Sequence, residues 1–224
     1  MFFIGIDLAW STRNKTGIAI LKGNKDKAKL LSIALVFSDK EILKYIRKRV
    51  GNKKALVAVD APLIVPNKQG RRIADSLTSN LFRKYNAGAY PANRERLSQW
   101  DGKIRGEELA KLLEEEGFIH DPYIKKFENT RKFFEVYPHP AMVVIFDLKK
   151  ILQYKPKPNR NYKFRWLELK KYQSHLKMLE KRKPSLILPK EIINKKVKKL
   201  KANKLKNYED LLDAIFCAYI AYYV

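Results

Sequence analysis

Four acidic residues of this sequence stand where the neighbouring residues are apolar. They are Asp7, Asp60, Glu135 and Asp213. A carboxylate buried without a partner is costly, so each of these positions requires an explanation. For Asp7 two explanations are open: it ends a strand and caps a neighbouring turn, or it holds a divalent cation together with carboxylates from elsewhere in the chain.

Converging carboxylates would suit a hard divalent cation. Mg²⁺ and Mn²⁺ prefer oxygen ligands, and hydrolysis of a phosphodiester commonly uses two such ions, held by about three or four carboxylates. Without metal these acids would repel one another, so their convergence would itself indicate a function.

A fifth acid, Asp210, shares one face of the last predicted helix with Asp213. Asp210 and Asp213 are spaced i, i+3, and the small side chains of Ala214 and Cys217 let that face approach a sheet. If Asn207 is the N-cap, Asp210 falls in the first turn, where the helix dipole favours acids. Asp213 lies one turn further in and lacks that explanation.

The elements that position these acids follow from the apolar pattern. Strands are predicted in the opening run and at 17–21, 30–37, 55–60 and 132–137, and helices at 41–50, 107–116, 164–181 and 208–224. The short connections between the first three strands predict an antiparallel arrangement. We predict one domain over residues 1–224, with a partly helical insertion at 61–131 after the fourth strand and a basic, mainly helical region at 149–207.

The charge predicts a polyanionic partner. The chain has 48 Lys and Arg against 23 Asp and Glu, a net charge of +25. Residues 149–207, the basic region, hold 21 of the bases and three of the acids, with aromatic residues interleaved. That mixture suits binding to a nucleic-acid backbone and stacking on its bases, while a solvated surface or an anionic-membrane patch is the alternative.

Eight residues are the predicted contacts to nucleic acid. Those in the insertion could hold a phosphate, although surface arginines need have no such role. Those in the basic region combine positive charge with an aromatic ring. The eight are Arg71, Arg72, Asn93, Arg94, Arg160, Lys163, Arg165 and Trp166.

Other classes of protein are disfavoured. No apolar run reaches the roughly 20 residues that span a bilayer, and the first residues lack the basic start of a secretory signal. Cys217 is the single cysteine, so no intrachain disulfide can form. We therefore expect a soluble cytoplasmic protein without a membrane partner, and the sequence leaves its oligomeric state open.

Five motifs resemble those of an uncharacterised family of predicted RNase H-like nucleases. They are GIDLAWS at 5–11, VDAP at 59–62, GRR at 70–72, EVYP at 135–138 and DLLDA at 210–214. The resemblance implies an α/β fold with an RNase H-like mixed sheet of five strands, three antiparallel and then parallel ones, flanked by helices. In metal-dependent nucleases of this fold, including Holliday-junction resolvases, acids at corresponding positions hold Mg²⁺ or Mn²⁺.

The resemblance carries metal-binding and catalytic roles to Asp7, Asp60 and Asp213, with Asp210 as a helper ligand. Glu135 matches a Glu-x-x-Pro motif of the family and is the expected fourth ligand, although its position differs from that of the usual resolvase acids. The basic region lies outside the resemblance.

Three functions compete. The first is a metal-dependent nuclease acting on DNA or RNA, and the second is a nucleic-acid-binding protein on the same scaffold without catalysis. The third is an ATP-binding phosphotransferase, because Gly5-Ile-Asp followed by small and hydroxyl residues also resembles the first phosphate loop of the actin and sugar-kinase superfamily. The chain lacks the length and the second glycine-rich loop which that superfamily requires.

Overall fold

A computed structural model describes residues 1–99, 102–125 and 128–224, which form an α/β fold around one mixed sheet. The sheet has seven strands in the order β5-β6-β4-β1-β2-β3-β7. The strands are β1 (Phe2–Asp7), β2 (Thr16–Gly23), β3 (Lys27–Val36), β4 (Ala55–Val59), β5 (Ile119–His120), β6 (Arg131–Glu135) and β7 (Ser185–Ile187).

The predicted five strands are therefore two too few. The additional strands β5 and β7 are the two edges of the sheet and have only two and three residues. Strands this short contain too few residues to show an alternation of apolar and polar side chains, which is the signal from which strands are predicted.

Strand β1 lies at the centre of the sheet. It pairs antiparallel with β2, which pairs antiparallel with β3, and it pairs parallel with β4 on its other side. Strand β4 in turn pairs parallel with β6. The predicted antiparallel arrangement of the first three strands is confirmed.

Helices cover both faces of the sheet. They are α1 (Asp39–Val50), α2 (Ile73–Phe82), α3 (Arg94–Ser98), α4 (Arg105–Glu115), α5 (Pro138–Phe146), α6 (Tyr162–Met178), α7 (Lys190–Ile193) and α8 (Ala202–Tyr223). One apolar core holds α1 and α4, and a second holds α5, α6 and α8. Within the described residues, no helix is both long and apolar enough to cross a membrane.

The alternation of side chains along β1 decides what faces the long helix α8. Ile4 and Ile6 belong to the core under α1 and α4, whereas Phe3 belongs to the core under α8. Gly5 and Asp7 follow Phe3 in the period-two pattern and face α8 as well. A side chain at Gly5 would collide with the backbone of α8, so glycine lets the helix lie directly on the strand.

Helix α8 begins earlier than predicted. Its first residue is Ala202, preceded by Lys201 as N-cap, so the expectation of a cap at Asn207 is wrong. Leu205 is fully buried, and its packing draws the preceding turn into the helix. Asp210 consequently lies about two turns inside α8, where the N-terminal end of the dipole does not stabilise its charge.

The helix predicted at 164–181 is confirmed as α6, which starts two residues earlier. Its buried apolar residues are Leu169, Tyr172 and Leu176, on one stripe of the helix. The insertion at 61–131 contains α2, α3, α4 and β5, and the basic region contains α6, α7 and β7.

Candidate acidic site at the end of the central strands

Asp7 and Asp60 lie side by side at the same edge of the sheet. Asp7 is the last residue of β1, and Asp60 follows the last residue of the parallel strand β4. The amide of Asp60 donates to the carbonyl of Ile6 at 2.8 Å, which extends the pairing of the two strands by one residue. Asp60 alternates with Leu56 and Ala58, which belong to the core under α8, so both acids face that helix.

Asp210 and Asp213 come to the same place from α8. Asp7 is directly opposite Gly17 of β2, and a side chain at Gly17 would meet the carbonyl of Asp210. The two glycines at positions 5 and 17 thus bring α8 close enough for its acids to approach the strand ends. We call Asp7, Asp60, Asp210 and Asp213 the acid cluster.

The charges of the acid cluster influence one another. Burial is the largest cause that raises the pKa of Asp7 to about 7, and the charges of Asp213 and Asp210 raise it further, against the opposing effect of Lys155. Burial also raises the pKa of Asp60 well above its ordinary value, followed by the charges of Asp7, Asp213 and Glu135. Asp7 and Asp60 are half-buried residues, so the acid cluster is not sealed from solvent.

Lys155 supplies a positive charge to the acid cluster. Its ammonium forms an ion pair with Oδ2 of Asp213, while the hydroxyl of the fully buried Tyr154 donates to Oδ1 of Asp213 at 2.5 Å. Burial lowers the pKa of Lys155, but the charges of Asp213, Asp7 and Asp210 together raise it well above its ordinary value. Lys155 is therefore a permanent cation beside the acid cluster.

Lys155 was not among the predicted site residues. It is one of 21 bases in the basic region, and its sequence neighbours do not distinguish it from the exposed ones. The available signal was the carboxylate of Asp213, which has a side chain only 3% exposed and therefore needs a partner.

The other acids of α8 also pair with bases of the basic region. Lys206 forms an ion pair with Asp210 one turn away, and Arg165 forms one with the fully buried Glu209 at 2.8 Å. Burial raises the pKa of Glu209 to about 7 despite the opposing charge of Arg165. Part of the basic region thus neutralises the buried acids of α8.

Glu135 lies apart from the expected ligand set. In register with Val59 and Ile6, it falls on the sheet face that carries the core under α1 and α4, opposite to the acid cluster. Its carboxylate accepts two hydrogen bonds from the guanidinium of Arg72, at 2.6 and 2.8 Å, and one from the amide of Leu63 at 3.1 Å. Only the register between the paired strands reveals this difference of face.

Arg72 bridges two acids. Besides Glu135 it contacts Asp75 at 2.8 Å, and only 12% of its side chain is exposed. Burial alone would raise the pKa of Asp75, but hydrogen bonds from Arg72 and from the amide of Ala92 lower it. Arg72 thus fastens the start of α2 to the end of β6.

The other predicted residues of the insertion also have partners within the chain. Arg71 donates to Ser79 and to the carbonyl of Ala89, at 3.0 and 2.9 Å. Asn93 is the N-cap of α3. Arg94, whose side chain is half exposed, pairs with Glu107.

The four predicted contacts in the basic region differ in accessibility. Arg165 is occupied by Glu209 and by the carbonyl of Tyr154, and the indole of Trp166 donates to the carbonyl of Leu200 at 2.9 Å. The guanidinium of Arg160 donates to Gln153 at 2.8 Å. Lys163 is exposed on α6.

His139 follows β6 and lies within electrostatic reach of Asp213. Burial lowers the pKa of His139 to about 4, and the charge of Asp213 only partly opposes this. Its ring stacks on Tyr137 with an interplanar angle of 8°. His139 is consequently neutral at neutral pH.

The acid cluster offers the oxygen donors that hard cations prefer, but two of its side chains, Asp210 and Asp213, pair with bases. Among residues 1–99, 102–125 and 128–224, no three side chains of His, Cys, Asp or Glu are grouped so that they could hold a metal ion as they stand. Lys155 already supplies the positive charge that balances Asp213. Oδ2 of Asp213 is the oxygen that contacts the ammonium of Lys155, so this oxygen is already neutralised.

Comparison with known proteins places the chain in one family. Residues 5–224 match the family described as "Protein of unknown function (DUF429)", and the chain belongs to it. No curated protein matches the sequence.

Proposed function

We propose that this protein is a divalent-metal-dependent nuclease with an RNase H-like fold, in which Asp7, Asp60 and Asp213 hold the metal and Asp210 assists. One observation carries the proposal. Three acids from three separate elements, β1, the end of β4 and α8, are brought together where the two strands end under α8. After burial, the charge of Asp213 helps to raise the pKa of both Asp7 and Asp60. Such repulsion is a cost to folding that a bound cation would remove.

The strand arrangement supports the fold assignment. Three antiparallel strands are followed by a strand parallel to the first, and the long C-terminal helix lies across the first strand with its acids at the strand ends. This is the arrangement that the resemblance to RNase H-like nucleases implies.

The donor set fits Mg²⁺ or Mn²⁺ by type. Carboxylate oxygens are the ligands that these ions prefer, and Asp7, Asp60 and Asp213 supply them from three elements. When bound, such an ion supplies a Lewis acid for a phosphoryl group. Because Lys155 now neutralises Asp213, cation binding and the Lys155 ion pair compete.

The chain's own groups have separate roles in this proposal. Asp7 and Asp60 fix the position of the cation because they end adjacent strands of the central sheet. Tyr154 orients Asp213 through its hydrogen bond to Oδ1. Lys155, once released from Asp213, remains a positive charge beside the site and can pair with the phosphate of the substrate. Glu135 is outside the proposed ligand set and instead positions the segment after β4 through Arg72.

The test is a cleavage assay over single-stranded, duplex, hybrid and branched DNA and RNA, with Mn²⁺, with Mg²⁺ and with EDTA. We expect metal-dependent cleavage of at least one substrate, and a loss of about 100-fold or more in Asp7→Asn and Asp213→Asn. Glu115→Gln, which alters an exposed acid of α4, is the matched control and should retain full activity. Cleavage that is equally fast in Asp7→Asn would refute the assignment.

A second function is favoured by a different observation. Asp210 and Asp213, as well as Glu209, already have a basic partner within the chain. That arrangement also suits a nucleic-acid-binding protein without catalysis, in which the acids only anchor the basic region. Calorimetry separates the two: Mn²⁺ binding that disappears in Asp60→Asn supports the nuclease, and salt-dependent DNA binding with no Mn²⁺ binding supports the alternative.

A further inference from the structure

A small cavity lies between the β1–β2 loop and the end of α3. Its volume is about 230 Å³. Pockets for drug-sized ligands measure roughly 300–1,000 Å³, so this cavity suits a single planar ring system. It is lined by Trp10, Ser11, Asn14, Arg96 and Gln99.

The loop that carries Trp10 is anchored on both sides of the indole. The amide of Ala9 donates to the hydroxyl of Thr16 at 3.2 Å, and the buried guanidinium of Arg105 donates to the carbonyls of Ala9 and Ser11 at 2.8 and 3.2 Å. Trp10 itself is nevertheless 52% exposed. A large ring left open to solvent on a fixed backbone is preorganised for stacking.

The opposite wall of the cavity is anchored as well. Leu97 of α3 is buried in a small core with Val65 and Ile104. Arg96 and Gln99 are exposed residues on either side of Leu97. Guanidinium and amide groups are the side-chain groups that hydrogen-bond to the edges of nucleobases.

The cavity is close to the proposed site of phosphate chemistry. Trp10 follows Asp7 by three residues, so their Cα atoms are at most about 11 Å apart. The other end of the loop returns to Gly17, which is directly opposite Asp7 in the sheet. The loop that carries Trp10 therefore begins and ends beside Asp7, within reach of a nucleic-acid strand bound at the acid cluster.

We infer that this cavity binds one unpaired nucleobase, stacked on Trp10 and recognised at its edge by Asn14, Arg96 and Gln99. The inference rests on the proposed nuclease function and specifies its substrate class. That class is a nucleic acid with an unpaired or extrahelical base beside the phosphate to be cleaved. Stacking on an aromatic ring tolerates any base, since every base has a π-face.

The test measures binding in EDTA, so that it does not depend on cleavage. Two DNA duplexes of equal length are compared, one fully paired and one carrying a single extrahelical 2-aminopurine. We expect the wild-type protein to bind the second duplex more tightly and to quench its 2-aminopurine fluorescence. Trp10→Ala should weaken that binding roughly 5- to 150-fold, the range given by loss of one stacked base, and should abolish the quenching.

Two controls identify the cause of such a loss. Trp10→Phe retains a stacking ring and should recover part of the affinity and of the quenching. Tyr123→Ala removes an aromatic side chain that is 84% exposed outside the cavity, and should bind both duplexes as the wild type does. Thermal unfolding of each variant checks that the fold is intact.

The outcomes separate this inference from the proposed function. Equal weakening of both duplexes by Trp10→Ala, equal binding of both by the wild type, or no binding at all would overturn the base pocket. If the wild type prefers the extrahelical base but cleaves nothing with Mn²⁺, the pocket stands and the nuclease proposal fails. If the wild type cleaves with Mn²⁺ but does not prefer the extrahelical base, the nuclease proposal stands and the base pocket fails.

Discussion

The acid cluster and the basic region both concentrate charge, but they hold it in different ways. The acids are few, lie at strand ends and on α8, and have their charged forms disfavoured by burial. Most bases of residues 149–207 are exposed, and their charges are solvated. The regions meet at Lys155, which belongs to the basic region in sequence and to the acid cluster in space.

This difference shows that net charge and charge energetics are separate properties. The basic region dominates the net charge of +25, yet removal of an exposed base changes stability little. The bases of this region that matter for folding are the few that reach buried acids: Lys155, Arg165, Lys171 and Lys206. If this division between buried and exposed charges holds, substitutions at the two kinds of site should differ in their effect on stability.

The largest effect is expected at the junction of the two regions. Lys155→Ala leaves Asp213 buried without its counter-charge and should lower the free energy of unfolding by about 2–4 kcal/mol. This is less than the loss expected for a fully buried ion pair, because the side chain of Lys155 is 29% exposed. Urea denaturation measures the loss. Lys157→Ala, an exposed base two residues away, should change stability by less than about 0.5 kcal/mol.

Metal should restore much of what Lys155→Ala loses. With the competing lysine removed, Mn²⁺ at 100 times its dissociation constant would add about 2.7 kcal/mol to the stability of the folded state. A variant as stable as the wild type in EDTA would show that Lys155 is an incidental surface charge, and the proposed competition would then be wrong.

The second effect separates Glu135 from the acid cluster. Glu135→Gln weakens the bidentate pair with the mostly buried Arg72, and should reduce stability by about 1–3 kcal/mol. Because Glu135 is on the other face of the sheet, we expect the calorimetric Mn²⁺ affinity to change by less than about threefold. A loss of Mn²⁺ binding equal to that of Asp60→Asn would return Glu135 to the ligand set.

The third effect is a pH dependence caused by Asp7. Its pKa is about 7 in the folded protein and ordinarily 3.8, so between these values the folded state retains a proton that the unfolded chain has released. The contribution of Asp7 to stability is therefore present below about pH 3.8 and lost as the pH rises through 7. Asp7→Asn should be more stable than the wild type at pH 8, by about 1–2 kcal/mol after allowance for solvent screening, and equally stable near pH 3.5.

Denaturation curves from pH 3.5 to 8 give this comparison directly. Saturating Mn²⁺ should remove the advantage of Asp7→Asn at pH 8, because the cation stabilises only the protein that keeps the carboxylate. A constant difference between the two proteins at every pH would mean that Asp7 titrates as an ordinary surface acid.

The sequence predicted the positions of the acids better than their surroundings. Apolar runs that end in a carboxylate locate Asp7 and Asp60, since local hydrophobicity is enough to define a central strand. The face of Glu135 depends on the register between strands, and the role of Lys155 depends on which of many bases reaches Asp213. Both depend on tertiary structure and leave no signal in the neighbouring residues. The edge strands β5 and β7 also lack a local signal, because they are too short to show an alternation of side chains.

The smallest effect on stability, and the one specific to the exposed bases, is expected at Lys163. Lys163→Ala should leave the free energy of unfolding within about 0.5 kcal/mol of the wild type, because its side chain is solvated on α6. If Lys163 contacts one phosphate in the wild type, the slope of log affinity against log salt for duplex DNA should become shallower by about 0.9 in the variant. Lys48→Ala, which removes an exposed base of α1 on the other face of the sheet, should leave that slope unchanged. Equal slopes in all three proteins would mean that DNA does not contact α6 at Lys163, and the division between folding charges and binding charges would then have to be sought elsewhere in the basic region.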